Sequence, residues 1–270
     1  MALVDWTTQR DKGLSQMTLQ VDGPPLVSIP LIADLVLSLI EEAKRDDVGA
    51  VLLTGPPGKF IIGMDVNEIA ALKGTVEVRG ATAVVQDLLS DLENAPAVLV
   101  CAVDGACLGG GLELVLPFHL LLATPSSTFG FPEIKLGTIP SFGGTQRLAR
   151  IVGRNRALQV LLQGEPFSAQ TALEWGLLAE IVPGEELLPA ARKLARSLAD
   201  LSRPAAQALL RALVSGLDGP MSRGLALEGR LSSRLAGQPD LAEGIRAFLE
   251  KRRPVFPSTL AGRPDKKEPD

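Results

Sequence analysis

The sequence predicts an α/β fold followed by a helical C-terminal region, and three observations carry that prediction. Ala50 to Thr54 and Val98 to Val103 are continuous apolar runs, as in strands buried on both faces. Apolar residues at helical spacing lie between such runs: Ile32, Leu35, Val36, Leu39 and Ile40, then Val84, Val85, Leu88, Leu89 and Leu92. From Glu185 the chain reads as helix alone, with breaks at Pro204, Gly216 to Pro220 and Gly237 to Pro239.

Taken in order, residues 1–16 are mixed and polar and predict no element. Thr18 to Val21 suits a short strand before the turn-rich Asp22-Gly-Pro-Pro25. Ser28 has the hydroxyl to cap the helix that follows. The strand at Ala50 to Thr54 closes at Gly55-Pro-Pro-Gly58. Helices are expected over Val66 to Leu72 and Val76 to Glu93, with Lys73-Gly74 as a mobile joint between them and Pro96 beyond the second. Leu120 to Ala123 and Ser127 to Gly130 read as strands. Gly143 to Gly153 is a helix with glycine at each end, Arg156 to Leu162 continues helically, and Ser168 caps a helix stopped by Gly176. Leu178 to Val182 is the last expected strand. Strand, strand, helix recurs along the chain. Pro257 to Asp270 is rich in proline and lysine without apolar periodicity, which predicts a disordered tail.

With 270 residues, 46% hydrophobic and 21% charged, the chain has the composition of a protein with a sizeable buried core. A net charge of −4 and a pI near 5.3 argue against non-specific binding to nucleic acid. Cys101 and Cys107 lie in apolar surroundings and read as inert reduced thiols. No Cys/His spacing suggests a metal site. The start lacks the pattern of a secretory signal, and the apolar run Leu114 to Ala123 is too short to span a bilayer. A cytoplasmic protein that needs no membrane is therefore expected.

The chemistry concentrates between Asp104 and Arg147. Asp104-Gly-Ala-Cys-Leu-Gly-Gly-Gly-Leu-Glu113 joins the strand at Val98 to Val103 to a short helix that Pro117 blocks. Glycines at 109, 110 and 111 let the backbone turn sharply and approach a ligand. A turn of this kind feeding a helix presents N–H groups suited to a developing oxyanion. Glu133, in Phe129-Gly-Phe-Pro-Glu133, follows Glu113 by twenty residues. Two carboxylates beside one reacting bond allow proton transfer in both directions.

These pieces, with Ser141-Phe-Gly-Gly-Thr-Gln-Arg-Leu148, resemble the enoyl-CoA hydratase/isomerase (crotonase) superfamily, and within it the hydratase branch. The resemblance runs from about Leu19 to Phe256 and is densest between Ala95 and Gly184. It implies an α/β crotonase-like spiral of repeated ββα units over 1–190, with a C-terminal helical trimerisation region at 191–256 and the tail at 257–270. It also implies that Lys59-Phe-Ile-Ile-Gly-Met-Asp65 is an oxyanion loop. The backbone N–H groups of Met64 and Gly110 would then polarise a thioester carbonyl. Met64 replaces a residue that is more often small in relatives, and Val27-Ser-Ile-Pro30 departs from the family's usual segment there.

On that resemblance Glu113 orients and deprotonates water while Glu133 delivers a proton to C2. Lys59, Ile62, Asp65, Gly109, Gly111, Pro140, Phe142 and Lys251 are the expected substrate-binding residues. Lys251, Arg252 and Arg253 are expected either to reach CoA phosphates across a subunit boundary or to form a solvated charge run. His119, the only histidine, reads as structural, and Arg147 as part of a packing helix. No metal or redox cofactor is implied, since CoA enters as part of the substrate, and the expected assembly is a trimer or a dimer of trimers. The absence of tyrosine disfavours branches of the superfamily that use one in catalysis. Δ3,Δ2-enoyl-CoA isomerisation with Glu133 as main base is the alternative reaction. A non-catalytic scaffold or RNA-binding role is the alternative outside enzymology.

Overall fold

The computed structural model describes residues 4–71 and 74–259. Its first feature is one that residues 1–16 do not announce. β1 (Val4–Asp11) and β2 (Leu14–Val21) form an antiparallel hairpin across Lys12-Gly13. Both turn residues have positive φ, 47° and 81°, as the tightest hairpin turns require. β1 is an edge strand with Thr7 to Asp11 exposed, so it needs no apolar run, and backbone pairing with β2 holds it.

The chain then repeats one construction. A strand of a large sheet is followed by a short strand of a smaller sheet and then by helix. The first turn is β2, β3 (Leu26–Val27) and α1 (Ile29–Lys44). The second is β4 (Ala50–Thr54), β5 (Gly63–Met64), α2 (Val66–Ala71) and α3 (Thr75–Glu93). The third is β6 (Val98–Val103), β7 (Ala106–Leu108) and α4 (Gly110–Val115). The fourth is β8 (Leu120–Ala123), β9 (Thr128–Gly130), a 3-10 helix over Pro132–Leu136, α5 (Gly144–Val152) and α6 (Arg154–Gln163). β10 (Phe167–Ser168), α7 (Ala169–Glu174) and β11 (Glu180–Ile181) close the core. Four further helices follow: α8 (Gly184–Ala199), α9 (Arg203–Gly216), α10 (Met221–Leu235) and α11 (Pro239–Leu249).

Among the described residues the large sheet runs β1-β2-β4-β6-β8-β11, parallel from β2 onward. β10-β9-β7 and β3-β5 form two small sheets. Alternation along the central strands explains the apolar runs. Val51 and Leu53 of β4 and Leu99, Cys101 and Val103 of β6 face the larger core with α1 and α3. Ala50, Leu52, Val98, Val100 and Ala102 face α8 through its Leu187, Ala191, Ala195 and Ala199. Both faces are dry, and a fully buried Leu or Val side chain is worth about 1.5–3 kcal/mol.

Several local readings are adjusted by the packing. Ser28 caps α1 as expected, its Oγ accepting the Leu31 N–H at 3.1 Å. The predicted break at Pro204 is instead the first turn of α9, where proline lacks nothing a helix needs. The expected boundary between 190 and 191 falls inside α8, which covers the sheet, so packing assigns α8 to the core and starts the helical region at α9. Leu72, Lys73 and residues 260–270 lie outside the described residues, and with them half of the expected joint and most of the expected tail.

Candidate active site

Glu113 stands on α4, a helix whose six residues are all buried. Gly109 turns the chain into it with φ 52°, and a Cβ on Gly111 would overlap the Ile61 carbonyl oxygen. That close approach, with the Leu108 N–H bonded to Ile61 O at 3.1 Å, sets the 61–64 segment against the glycine turn. Glu113 is only 2% exposed. An unpartnered carboxylate there would be costly, and two donors meet it: Oε1 accepts the N–H of Phe142 at 2.7 Å and that of Gly144 at 2.8 Å. Gly144 is the first residue of α5, so the carboxylate also sits at that helix's positive end. A Cβ on Gly144 would come 2.9 Å from Glu113 Oε1. Burial pushes the Glu113 carboxyl up to about 8; the Gly144 N–H pulls against this, and the charge of Glu133 adds to it.

Glu133 is held in a contrasting way, on the 3-10 helix Pro132–Leu136, none of whose residues is fully buried. Its Oε2 is nevertheless out of contact with solvent and has no hydrogen-bond partner. Burial raises its carboxyl to about 7. The carboxyl lies over the glycine turn, since a Cβ on Gly109 would be 2.8 Å from Oε1. Met64 covers the next residue, with Sδ 3.2 Å from the place of a Gly110 Cβ and the Phe142 ring 3.8 Å from it. Two carboxyls of raised pKa, a bare backbone turn and an apolar flank thus meet at one place.

The sequence model of the enoyl-CoA hydratase/isomerase family matches residues 11–259. The chain belongs to that family. A probable enoyl-CoA hydratase of Mycobacterium leprae is 38% identical over 213 residues, covering 78% of this chain and 80% of its own. A probable enoyl-CoA hydratase of Bacillus subtilis is 34% identical over 241 residues, covering 88% and 93%. Among solved structures, an enoyl-CoA hydratase of Bacillus anthracis superposes with a TM-score of 0.86 at 30% identity, covering 93% of this chain and 98% of that one. The crotonase fold read from the motifs is thus the fold of the protein.

Of the residues that the resemblance marked, Met64, Gly109, Gly110, Gly111, Phe142, Glu113 and Glu133 come together at this family site. Pro140 is buried two residues before Phe142, Ile62 is half-buried in the 61–64 segment, and Lys59 is exposed at its start. Asp65 departs from the expectation: its Oδ1 accepts the backbone and side-chain N–H groups of Asn67, both at 2.9 Å. The carboxylate is engaged in starting α2 instead of facing a ligand. Lys251 is exposed in the turn after α11, with φ 55°. Its neighbour Arg252 is drawn to Glu243 and Glu250, so part of that basic run is already neutralised.

His119 takes the structural place expected of it. Its Nδ1 accepts the Leu99 N–H at 2.9 Å, Nε2 lies 3.2 Å from Glu93 O, and burial lowers its pKa. Cys101 and Cys107 are free and buried, their thiols pushed up by burial. A cleft of about 930 Å³ opens beside α3, α5 and α9, lined in part by Glu93, His119, Arg147 and Leu213, but by neither glutamate. What the sequence reading missed is the pair of N–H donors on Phe142 and Gly144. The signal was present: Gly143-Gly144 directly before a helix leaves N–H groups able to hold an anion.

Proposed function

We propose that the protein adds water across the C2=C3 bond of a trans-2-enoyl-CoA thioester, forming 3-hydroxyacyl-CoA. One observation carries this reading: two buried glutamates of raised pKa flank the Gly109–Gly111 turn, one clamped by two N–H donors and one with an unpartnered oxygen. Near neutral pH such a pair holds about one proton, the state hydration needs. One group takes a proton from water and the other gives one to carbon.

In this reading the Met64 and Gly110 N–H groups stabilise the enolate-like oxygen, where losing one donor costs roughly 2.7–4 kcal/mol of barrier. Glu113 directs water to C3 and Glu133 protonates C2. Burial alone lifts Glu113 slightly above Glu133, which would favour the opposite division. The hydrogen bonds decide for us: two donors favour ionised Glu113, and nothing in the described residues donates to Glu133 Oε2. No cofactor enters the scheme, and CoA arrives with the substrate.

The same reading includes assembly of three or six copies in the cytoplasm. Leu217 at 82% and Phe248 at 83% exposure, with Leu213 and Ile245, leave apolar surface on α9 to α11 that supports self-association. The free buried thiols suit a reducing compartment. Across a subunit boundary Lys251 would meet the CoA phosphates. No helix among the described residues is long and apolar enough to cross a membrane.

The test is turnover of a panel of enoyl-CoA thioesters by the wild type and by Glu113→Gln. Hydration by the variant should almost vanish, while exchange of a C2 proton with solvent persists in part. Near-normal hydration by Glu113→Gln would remove Glu113 from the water-activating role.

A further inference from the structure

Arg147 has more partners than a packing residue needs. Its side chain is only 12% exposed, with Nε 3.0 Å from Glu93 Oε2. Nη2 donates to Ser90 Oγ at 3.2 Å, and Nη1 donates to Phe142 O at 3.2 Å. Phe142 is the residue whose N–H holds Glu113. A third residue of α3 joins in, since Gln86 Nε2 donates to Ser141 O at 2.6 Å. Positions 86, 90 and 93 fall on one helical face, so a single stripe of α3 addresses the 141–142 segment.

The glycines beside that segment fit the same arrangement. A Cβ on Gly143 would overlap the Arg147 guanidinium, and one on Gly144 would crowd Glu113 Oε1 at 2.9 Å. One glycine therefore makes room for the guanidinium and the next for the carboxylate. The peptide units between them are gripped by both.

We infer that Arg147, braced by Glu93 and Ser90, is a positioning residue that fixes the Phe142 backbone so that its N–H stays aimed at the Glu113 carboxylate. Arg147 draws on the Phe142 carbonyl while the Phe142 N–H serves Glu113. When the guanidinium is lost, the segment keeps Gln86 alone as a side-chain tether from α3. A loosened N–H supports the ionised form of Glu113 less well, and the water that form directs is aimed less well too. The charged groups around this unit are Glu133 from the 3-10 helix, Glu93 from α3, and Arg147 itself; neutral His119 touches Glu93 through its backbone.

The inference rests on the hydratase reading for its kinetic consequence and not for its structural one, so two readouts separate them. Wild type, Arg147→Met, Arg147→Lys and Glu93→Gln are each checked for fold by circular dichroism and melting. The protonated-carboxyl stretch of Glu113 is followed by difference infrared spectroscopy as pH changes, and assigned by its loss in Glu113→Gln. In folded Arg147→Met the Glu113 midpoint should move to higher pH. Its kcat for crotonyl-CoA hydration should fall on the order of 10²-fold with KM little changed, as a misplaced catalytic group produces. Arg147→Lys and Glu93→Gln should shift both quantities in the same direction by less. A lowered melting temperature with an unmoved Glu113 midpoint and unmoved kcat would overturn the inference and leave Arg147 a packing residue. If Arg147→Met does not fold, the same two quantities in Glu93→Gln decide it. A shifted midpoint in a protein whose wild type hydrates no enoyl-CoA would keep the positioning role and overturn the hydratase reading.

Discussion

α4 and the 3-10 helix Pro132–Leu136 each bring one glutamate to the same glycine turn, by opposite means. Every residue of α4 is buried, and its glutamate is bound by two backbone donors. The 3-10 helix has no fully buried residue, and its glutamate leaves one oxygen without a partner. Glu113 can therefore hold a water in a fixed direction, because its own orientation is over-determined. Glu133 sits on a lightly packed turn and has an oxygen free to follow a carbon that changes geometry. Similar raised pKa values conceal this difference, because burial raises both, whatever the remaining contacts are.

The comparison is broken most directly through rate. Glu113→Gln and Glu133→Gln should each lower kcat for hydration about 10²–10⁴-fold, the usual worth of a general acid or base. If the two sites differ as described, isotope exchange at C2 should persist in part in the first variant and be lost in the second. Equal residual exchange in both would erase the distinction.

Stability against pH tests what the two sites share. Both carboxyls are raised from 4.5, to about 8 and about 7, so the folded protein binds more protons than the unfolded chain across that interval. Their contribution to stability is complete below about pH 4.5 and is lost as pH rises toward about 8, on the order of several kcal/mol in all. Glu42 and Asp47, lowered by Arg10 and Arg45, act below that window and do not cancel it. Thermal melts of the wild type should fall from about pH 5 to about pH 9, and Glu113→Gln/Glu133→Gln should flatten the fall. An unchanged slope in the double variant would mean that neither group is raised.

A smaller effect separates the sites again. At about pH 5 Glu113→Ala strands two buried N–H groups, each costing about 1–3 kcal/mol, whereas Glu133→Ala strands no donor at Oε2. Denaturant midpoints should therefore drop for the first and barely move for the second. Comparable losses would show that Glu133 is anchored as firmly as Glu113.

The smallest effect concerns the flank that both glutamates face. Met64→Ala keeps the backbone N–H and removes the thioether lying against Gly110, so it should change which acyl chains fit by about 1–3 kcal/mol in relative kcat/KM. An equal fall for short and medium chains would instead mean lost packing.

The motifs between Asp104 and Arg147 were enough, in the sequence alone, to give the family, the spiral of ββα units and the two glutamates. That is because a glycine run, a proline and two carboxylates at fixed spacing constrain the backbone locally. The buried strands β4 and β6 were legible too, since a strand covered on both faces must be apolar throughout. The edge strand β1 was not, because its stability comes from pairing with β2 and not from its own composition. Only the tertiary structure showed that Asp65 caps α2, that α8 belongs to the core, and that Phe142, Gly144 and Arg147 surround Glu113. Each of these is a contact between segments distant in sequence, or a choice between local and distant partners. A side chain's donors are set by where the chain returns, and no periodicity in the sequence records that.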